Sequence, residues 1–334
     1  MTAITRSVGG KGGKNRPIDV IIVQTLLNHH PQYTGQSFVK VDGLNSPALV
    51  VAITAFQKNH PDLKTADGRV DPRGSTLRKL NDIKGPRRSF LPKNFSSNNF
   101  NNLNINQFVE LCSRQFGSKG KSHLARLVRE LVKDPHINRL TWAAYMLATV
   151  KHETAHTYQP IEEYGKGKGH TYGKTISVTD PVTKRVFKNV YYGRGFVQLT
   201  WEENYEKFAK RLNQKSHNSI HYYPDLAMDF EVAYKILSIG MREGLFRSTK
   251  YKAAGATTKT ANTLEKYLGS WLPDYHNARD IINGYNSKQE QLDYADRLTE
   301  YARSFEYLLR FCNGIPSGPI GQFYPVGSPR FSFK

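Results

Sequence analysis

The chain has 334 residues, of which 38% are hydrophobic and 12% aromatic, enough to give two domains cores of their own. No apolar run approaches the ~20 residues of a membrane span, and MTAITRSVGGKGGKNRP has no apolar stretch after its charges, so neither an anchor nor a secretory signal is expected. The net charge of +20 calls for an anionic partner but is spread along the chain, 14 Lys and Arg against 6 Asp and Glu in residues 1–88 and 34 against 22 in the rest, without the dense basic arm of a nucleic-acid-binding tail.

Residues 1–81 read as one unit. It holds two helical segments, Ile18–Leu27 and Pro47–Gln57, the second opening on a proline as helix geometry allows. The Asp-Gly pairs of VDGLNSP and ADGRVDPRGSTLRKL mark tight turns. Residues 82–104 are rich in Pro, Ser and Asn without periodicity and read as a linker. Helical patterns resume at Ile105 and continue to residue 312: VELCSRQF, HLARLVRELV, RLTWAAYMLATVKHE, then segments near 201–213, 229–242, 262–269 and 287–311. Between them, residues 174–190 form two β-rich runs around Asp180-Pro181, a predicted hairpin. The tail 313–334 has four prolines and four glycines and reads as irregular, and no internal repeat stands out. Cys112 and Cys312 read as buried thiols rather than a disulfide. His29, His30, His217 and His221 read as solvated surface residues. The fold class is therefore mainly α.

The segment TWAAYMLATVKHETAHTYQPIEEYG carries the candidate chemistry. Thr141 is placed to cap a helix running from Trp142 to Lys151, apolar on nearly every turn and so buried. Glu153 lies at its C-terminal end, where desolvation raises a carboxyl pKa and lets it hold a proton near neutral pH. A glycosidase needs such an acid and a second carboxylate across the cleft. Glu162 and Glu163, on a predicted loop after Pro160, are the candidates.

Two blocks carry a resemblance. The order VQxLLN, VDGxxxP, AIxxFQ, DGxVDPxGxTLxxL resembles the peptidoglycan-binding domain found beside wall hydrolases, over Ser7–Asn81, and most of these positions would build that fold. The HET of His152–Thr154, with YYGRGFVQLTWEENY at Tyr191–Tyr205, resembles glycoside hydrolase family 19, the lysozyme-like chitinases and phage endolysins. That likeness spans about residues 106–311 and includes AMDFEVAYKILSIGMREGLF, DYHNARDIINGYN and ADRLTEYARSFE. It implies a lysozyme-like α domain with a small β-hairpin and an inverting mechanism. Glu153 matches the general acid, and Glu163 the general base through Pro160-Ile161-Glu162-Glu163, with Glu162 one residue away as the alternative. Gln198, Thr200 and Asn204 match residues that hold sugar and the attacking water. Tyr192 and Arg194 of the same block either order the loop or touch substrate. Asn283 matches a substrate contact, and Arg297 an arginine close to the acid. The chain departs from the family pattern at Phe196, where proline is common, and at Ala155-His156, where glycines are usual.

His152-Glu153-Thr154-Ala155-His156 also satisfies H-E-x-x-H, a zinc metallopeptidase motif. Its extended form wants a glycine and a histidine where this chain has Gln159 and Glu162, so no metal and no cofactor is expected. The expected activity is endolysin-type hydrolysis of β-1,4 bonds in bacterial peptidoglycan, with chitinase of the same family as the alternative and a zinc metallopeptidase using His152 and His156 ranked below both. A wall-binding adhesin without chemistry ranks lower, since both glutamates are present, and nucleic acid ranks last. The protein is expected to be a monomer, made in the cytoplasm without a signal and acting on the wall after release, with anionic wall or outer-membrane polymers as further attractants.

Overall fold

The computed structural model describes residues 4–30, 39–82, 100, 102–253, 256–269, 273–284 and 289–314. Most of the predicted linker 82–104 and of the tail 313–334 lies outside the described residues. Among those described, the chain is mainly helical with four two-stranded antiparallel sheets, and no helix is long and apolar enough to cross a membrane. Its contacts divide it into two compact units.

The first unit packs α1 (Pro17–His29), α2 (Pro47–Lys58) and α3 (Ser75–Asn81) around Val20, Val23, Leu27, Leu49, Ile53, Phe56 and Leu80. A short sheet of β1 (Val8–Gly9) and β2 (Arg69–Val70) closes one side, with Val8 opposite Val70. Ser46 caps α2 by accepting from the Leu49 amide, which satisfies an otherwise orphaned donor. Two buried glutamines perform the same task twice. Gln24 accepts from the amides of Asp42 and Gly43 (3.1 and 3.0 Å) and donates to the Asp42 carboxylate at 2.9 Å. Gln57 accepts from the Gly68 amide at 2.9 Å and donates to Asp67, to the Arg69 carbonyl and to Thr76. Each helix thus grips one Asp-Gly turn through a single side chain, which explains why a glutamine recurs in both motifs. His30 departs from the surface reading. It is buried edge-on against Phe56, with its ring centroid 5.3 Å from that of His60, and burial pushes its pKa down.

The first unit also takes in α4 (Ile105–Phe116) and residues 307–314, so the predicted boundary at residue 105 falls inside it. The reason is packing of α4 on α1. A Cβ at Gly43 would lie 3.3 Å from both Ile21 of α1 and Leu111 of α4. Cys112 and Cys312 are buried thiols, and burial pushes the Cys312 thiol up to about 12.

The second unit is built on α6 (Leu140–Glu153), buried without a break from Ala143 to Lys151 as expected of a helix apolar on every side. Thr141 is its second residue rather than its cap. The Thr141 hydroxyl instead donates to the Leu268 carbonyl at the end of α9 (Leu264–Leu268). The same unit holds α5 (Lys121–Lys133), α7 (Glu202–Arg211), α8 (Phe230–Glu243) and α10 (Gln289–Cys312), whose residues up to Glu306 belong here. Leu124, Leu127, Val128 and Leu131 form the buried stripe of α5, and Asp134 at its end accepts from Tyr234 and Ser238 of α8.

Three small sheets complete the unit. The predicted hairpin is β4 (Ile176–Thr179) with β5 (Val186–Asn189), its turn tied by Asp180, which accepts from the Val182 amide and the Thr183 hydroxyl. Ile161–Glu162, read as loop, forms β3 and pairs with β6 (Arg194–Gly195). A further hairpin, β7 (Ser248–Ala253) with β8 (Ala256–Ala261), has no apolar alternation to announce it in STKYKAAGATTKTA. His221 is largely buried against Glu202 rather than solvated, while His217 is exposed.

Candidate active site

Glu153 is the last residue of α6. Helix carbonyls converge there, so a negative charge is disfavoured, and protein atoms crowd the half-buried carboxyl. This desolvation raises its pKa above the ordinary 4.5. Two groups act the other way, the Asn283 amide, which donates to Oε1 at 2.7 Å, and the positive charge of Arg279. The arginine acting on the acid is therefore Arg279 rather than Arg297. Arg279 is also tied to the segment that carries Asn283, since the Asn283 backbone amide donates to the Arg279 carbonyl. Arg297 is exposed, with its guanidinium 5.5 Å from the Tyr294 ring, and its charge acts on His152 and His156.

The chain turns sharply after Glu153. Ala155, His156 and Tyr158 all have positive φ (47°, 69° and 55°), a region that costs an L side chain ~1 kcal/mol or more. These include the two positions at which the family pattern has glycine. The turn lies on Gly120, where a Cβ would meet the Thr157 carbonyl oxygen at 2.2 Å. His156 is thus off the helix, and the i, i+4 face that a zinc site needs is broken. The His156 Nδ1 faces the Lys151 Nζ at 3.0 Å, so that nitrogen already has a cationic neighbour. Burial and the charges of Arg279 and Arg297 push His152 down to about 4. Among the described residues, no three His, Cys, Asp or Glu side chains group as metal ligands would.

The second carboxylate candidate lies on the β3–β6 pair. Glu163, just after β3, exchanges a backbone bond with Gly193: its amide donates to the Gly193 carbonyl at 2.7 Å. The Gly193 amide in turn donates to Glu163 Oε2 at 3.0 Å, and the Tyr172 hydroxyl donates to Oε1 at 2.7 Å. A Cβ on Gly193 would meet Gln198 Oε1 at 2.9 Å and Glu163 Cβ at 3.3 Å, so glycine here lets Gln198 and Glu163 share one side of the strand pair. Glu162 is engaged differently, paired with Lys166 at 2.8 Å and accepting from the Tyr192 hydroxyl, and these bonds lower its pKa.

No family model, curated protein or solved structure matches the chain.

The remaining predicted residues divide by surroundings. Arg194 is buried: it pairs with Asp225, and donates to the carbonyls of Val190 and Tyr192 and to Tyr205, which makes it the frame of the loop. Tyr192 is buried on the same guanidinium, 3.6 Å from ring centroid to Cζ. Gln198 has positive φ (52°) and donates to the Ile161 carbonyl at 3.1 Å, which leaves Oε1 toward Gly193. Asn204 donates to the Thr200 carbonyl and accepts from Lys207, so it holds the turn into α7. Sequence reading missed Tyr172. Its ring stacks on His170 and meets the exposed Trp201 edge-on at 5.4 Å, a set of contacts that local pattern does not reveal.

Proposed function

We propose that the chain is a peptidoglycan-cleaving glycoside hydrolase of endolysin type, with Glu153 as general acid and Glu163 as general base of an inverting hydrolysis of β-1,4 bonds. The observation that carries this reading is the Glu153 carboxyl itself, disposed by desolvation to keep its proton and gripped by Asn283. It gives that proton to the glycosidic oxygen as the bond to the anomeric carbon breaks. Glu163, fixed by Tyr172 and Gly193 beside Gln198, takes a proton from the water that attacks the opposite face. Glu162 is committed to Lys166 and Tyr192, which favours Glu163 for this part. In this reading the second unit is the lysozyme-like catalytic domain. The first is the peptidoglycan-binding domain, and its motif glutamines build the fold while the basic surface adds attraction to anionic wall polymers. The protein reaches the wall after release from the cell that makes it.

The test is digestion of purified walls by the wild type and Glu153→Gln, with the new reducing ends identified by mass spectrometry. N-acetylmuramic acid ends that vanish in the variant support the reading. Cleavage of chitin oligomers but not walls would make it a chitinase, and peptide-bond products would overturn it.

A further inference from the structure

We propose that Arg247 is a positioning residue that, together with Asn262, clamps the segment presenting Asn283 to Glu153. The proposal rests on the reading of Glu153 as the acid. Arg247 immediately precedes β7 and Asn262 immediately follows β8, so the two stand at the foot of one hairpin, joined by a bond from the Asn262 amide to the Arg247 carbonyl. Arg247 Nη1 donates to the Asn283 carbonyl at 2.9 Å, and Asn262 Nδ2 donates to the Asp280 carbonyl at 3.2 Å. The two bonds bracket the segment from Asp280 to Asn283.

Gly284 supplies an independent observation. Its φ is +71°, and a Cβ there would lie 2.4 Å from Arg247 Cζ and 2.5 and 2.7 Å from the guanidinium nitrogens. The guanidinium therefore rests directly against the backbone after Asn283, where only glycine leaves room. Asn262 is itself buried and fixed, its Oδ1 accepting from Lys266 Nζ at 2.7 Å. The path runs from the hairpin foot through the backbone of residues 280–284 to the Asn283 amide and Glu153 Oε1. The Asn283 side chain is exposed, so its backbone must be held for its amide to stay on the carboxyl. Among the described residues, the charged and titratable groups that act on Glu153 or adjoin it are Arg279, Tyr145 and His152, with Asp280 acting on Tyr145 and Arg297 on His152.

The sign of the effect follows from the donor. Asn283 favours the carboxylate, so loosening it moves the Glu153 titration upward. The experiment uses the full chain with carbon-13-labelled glutamate. The Glu153 carboxyl resonance is assigned by its loss in Glu153→Gln and titrated in wild type, Arg247→Ala and Arg247→Lys, with thermal melts to show that each is folded. In Arg247→Ala the Glu153 titration should rise by about half a pH unit, and the basic limb of the kcat profile should rise with it. On soluble peptidoglycan fragments kcat should fall about tenfold with KM within about twofold, because ground-state contacts remain. Arg247→Lys, which still carries a donor, should recover most of both effects. An unmoved Glu153 titration in folded Arg247→Ala overturns the clamp. If Glu153→Gln keeps its lytic activity while Arg247→Ala still shifts the titration, the catalytic assignment fails and the clamp stands.

Discussion

At the scale of single residues, Glu153, in its proposed role as acid, ties activity to stability. Its folded pKa lies above the ordinary 4.5, so the native state keeps a proton that the unfolded chain has lost. The stabilisation from that proton is full below 4.5 and is lost as pH rises through the folded value. Glu153→Gln removes the cost of ionising the crowded carboxyl and should therefore raise Tm at pH 7, with the two proteins converging at pH 4. A lower Tm for the variant at pH 7 would mean that the charged form is the stabilised one. The same variant should lose ~10²–10⁴-fold in lytic rate, the usual contribution of a placed acid. Of the two neighbouring glutamates, Glu163→Gln should cost more than tenfold the loss caused by Glu162→Gln on soluble fragments, since Glu163 shares one side of the strand pair with Gln198 while Glu162 is held by Lys166 and Tyr192; roughly tenfold or more is the scale on which a general base is felt. The position of Glu153 at a buried helix end was legible in the sequence, because a helix apolar on every turn has one burial solution. The roles of Tyr172 and Arg279 were not, because each depends on a contact between segments that local pattern does not encode.

At the scale of elements, small features fix the turns. Gln57 satisfies one amide, one carboxylate, one carbonyl and one hydroxyl in the interior of the first unit. Gln57→Ala strands these partners and should cost about 2–4 kcal/mol by urea melting, against a net ~1 kcal/mol for an ordinary hydrogen bond. A loss under about 1 kcal/mol would show that water replaces the glutamine. The Asp-Gly pairs revealed the turns, and the helix patterns revealed α1, α2 and α4 to α10 to within a few residues. The glutamine grip itself was invisible as a mechanism, since Gln is equally at home on a solvated face. Hairpin β7–β8 escaped notice for a related reason. Its Ala, Lys and Thr residues carry no period-two apolar signal, so only pairing across the turn identifies it. After α6, Ala155 adopts positive φ without the freedom of glycine. Ala155→Gly relieves that strain but loosens the unfolded chain, so the net should lie within about 1 kcal/mol on the stabilising side.

At the scale of the whole molecule, helix pattern and the division into units part company. Residues 105–118 carry a helical pattern like the rest of the later chain, yet Leu111 packs with Ile21 in the first unit. Periodicity identifies a buried face but does not say which neighbour buries it. A deletion that removes residues 1–88 would uncover that face of α4, so wall binding is better tested in the intact chain. With +20 distributed over 334 residues, binding to purified walls should weaken as salt shortens the Debye length from ~10 Å at 0.1 M to ~3 Å at 1 M. Binding that survives 1 M salt in a pelleting assay would report contacts of the specific kind, and complete release would reduce the attraction to charge.

The buried ammonium of Lys151 offers a clock for the motion of this region. Its side chain is 1% exposed at the base of the sharp turn, with Nζ against His156 and over the Tyr301 ring at 4.6 Å. Most of the other lysines among the described residues are exposed and will react with an amine-directed reagent at the speed of the reagent. Lys151 must wait until the end of α6 lifts, so its acylation rate measures how often that end opens. Glycine at position 155 should slow that labelling if the left-handed turn is what loosens the helix end, and leave it unchanged if opening begins elsewhere.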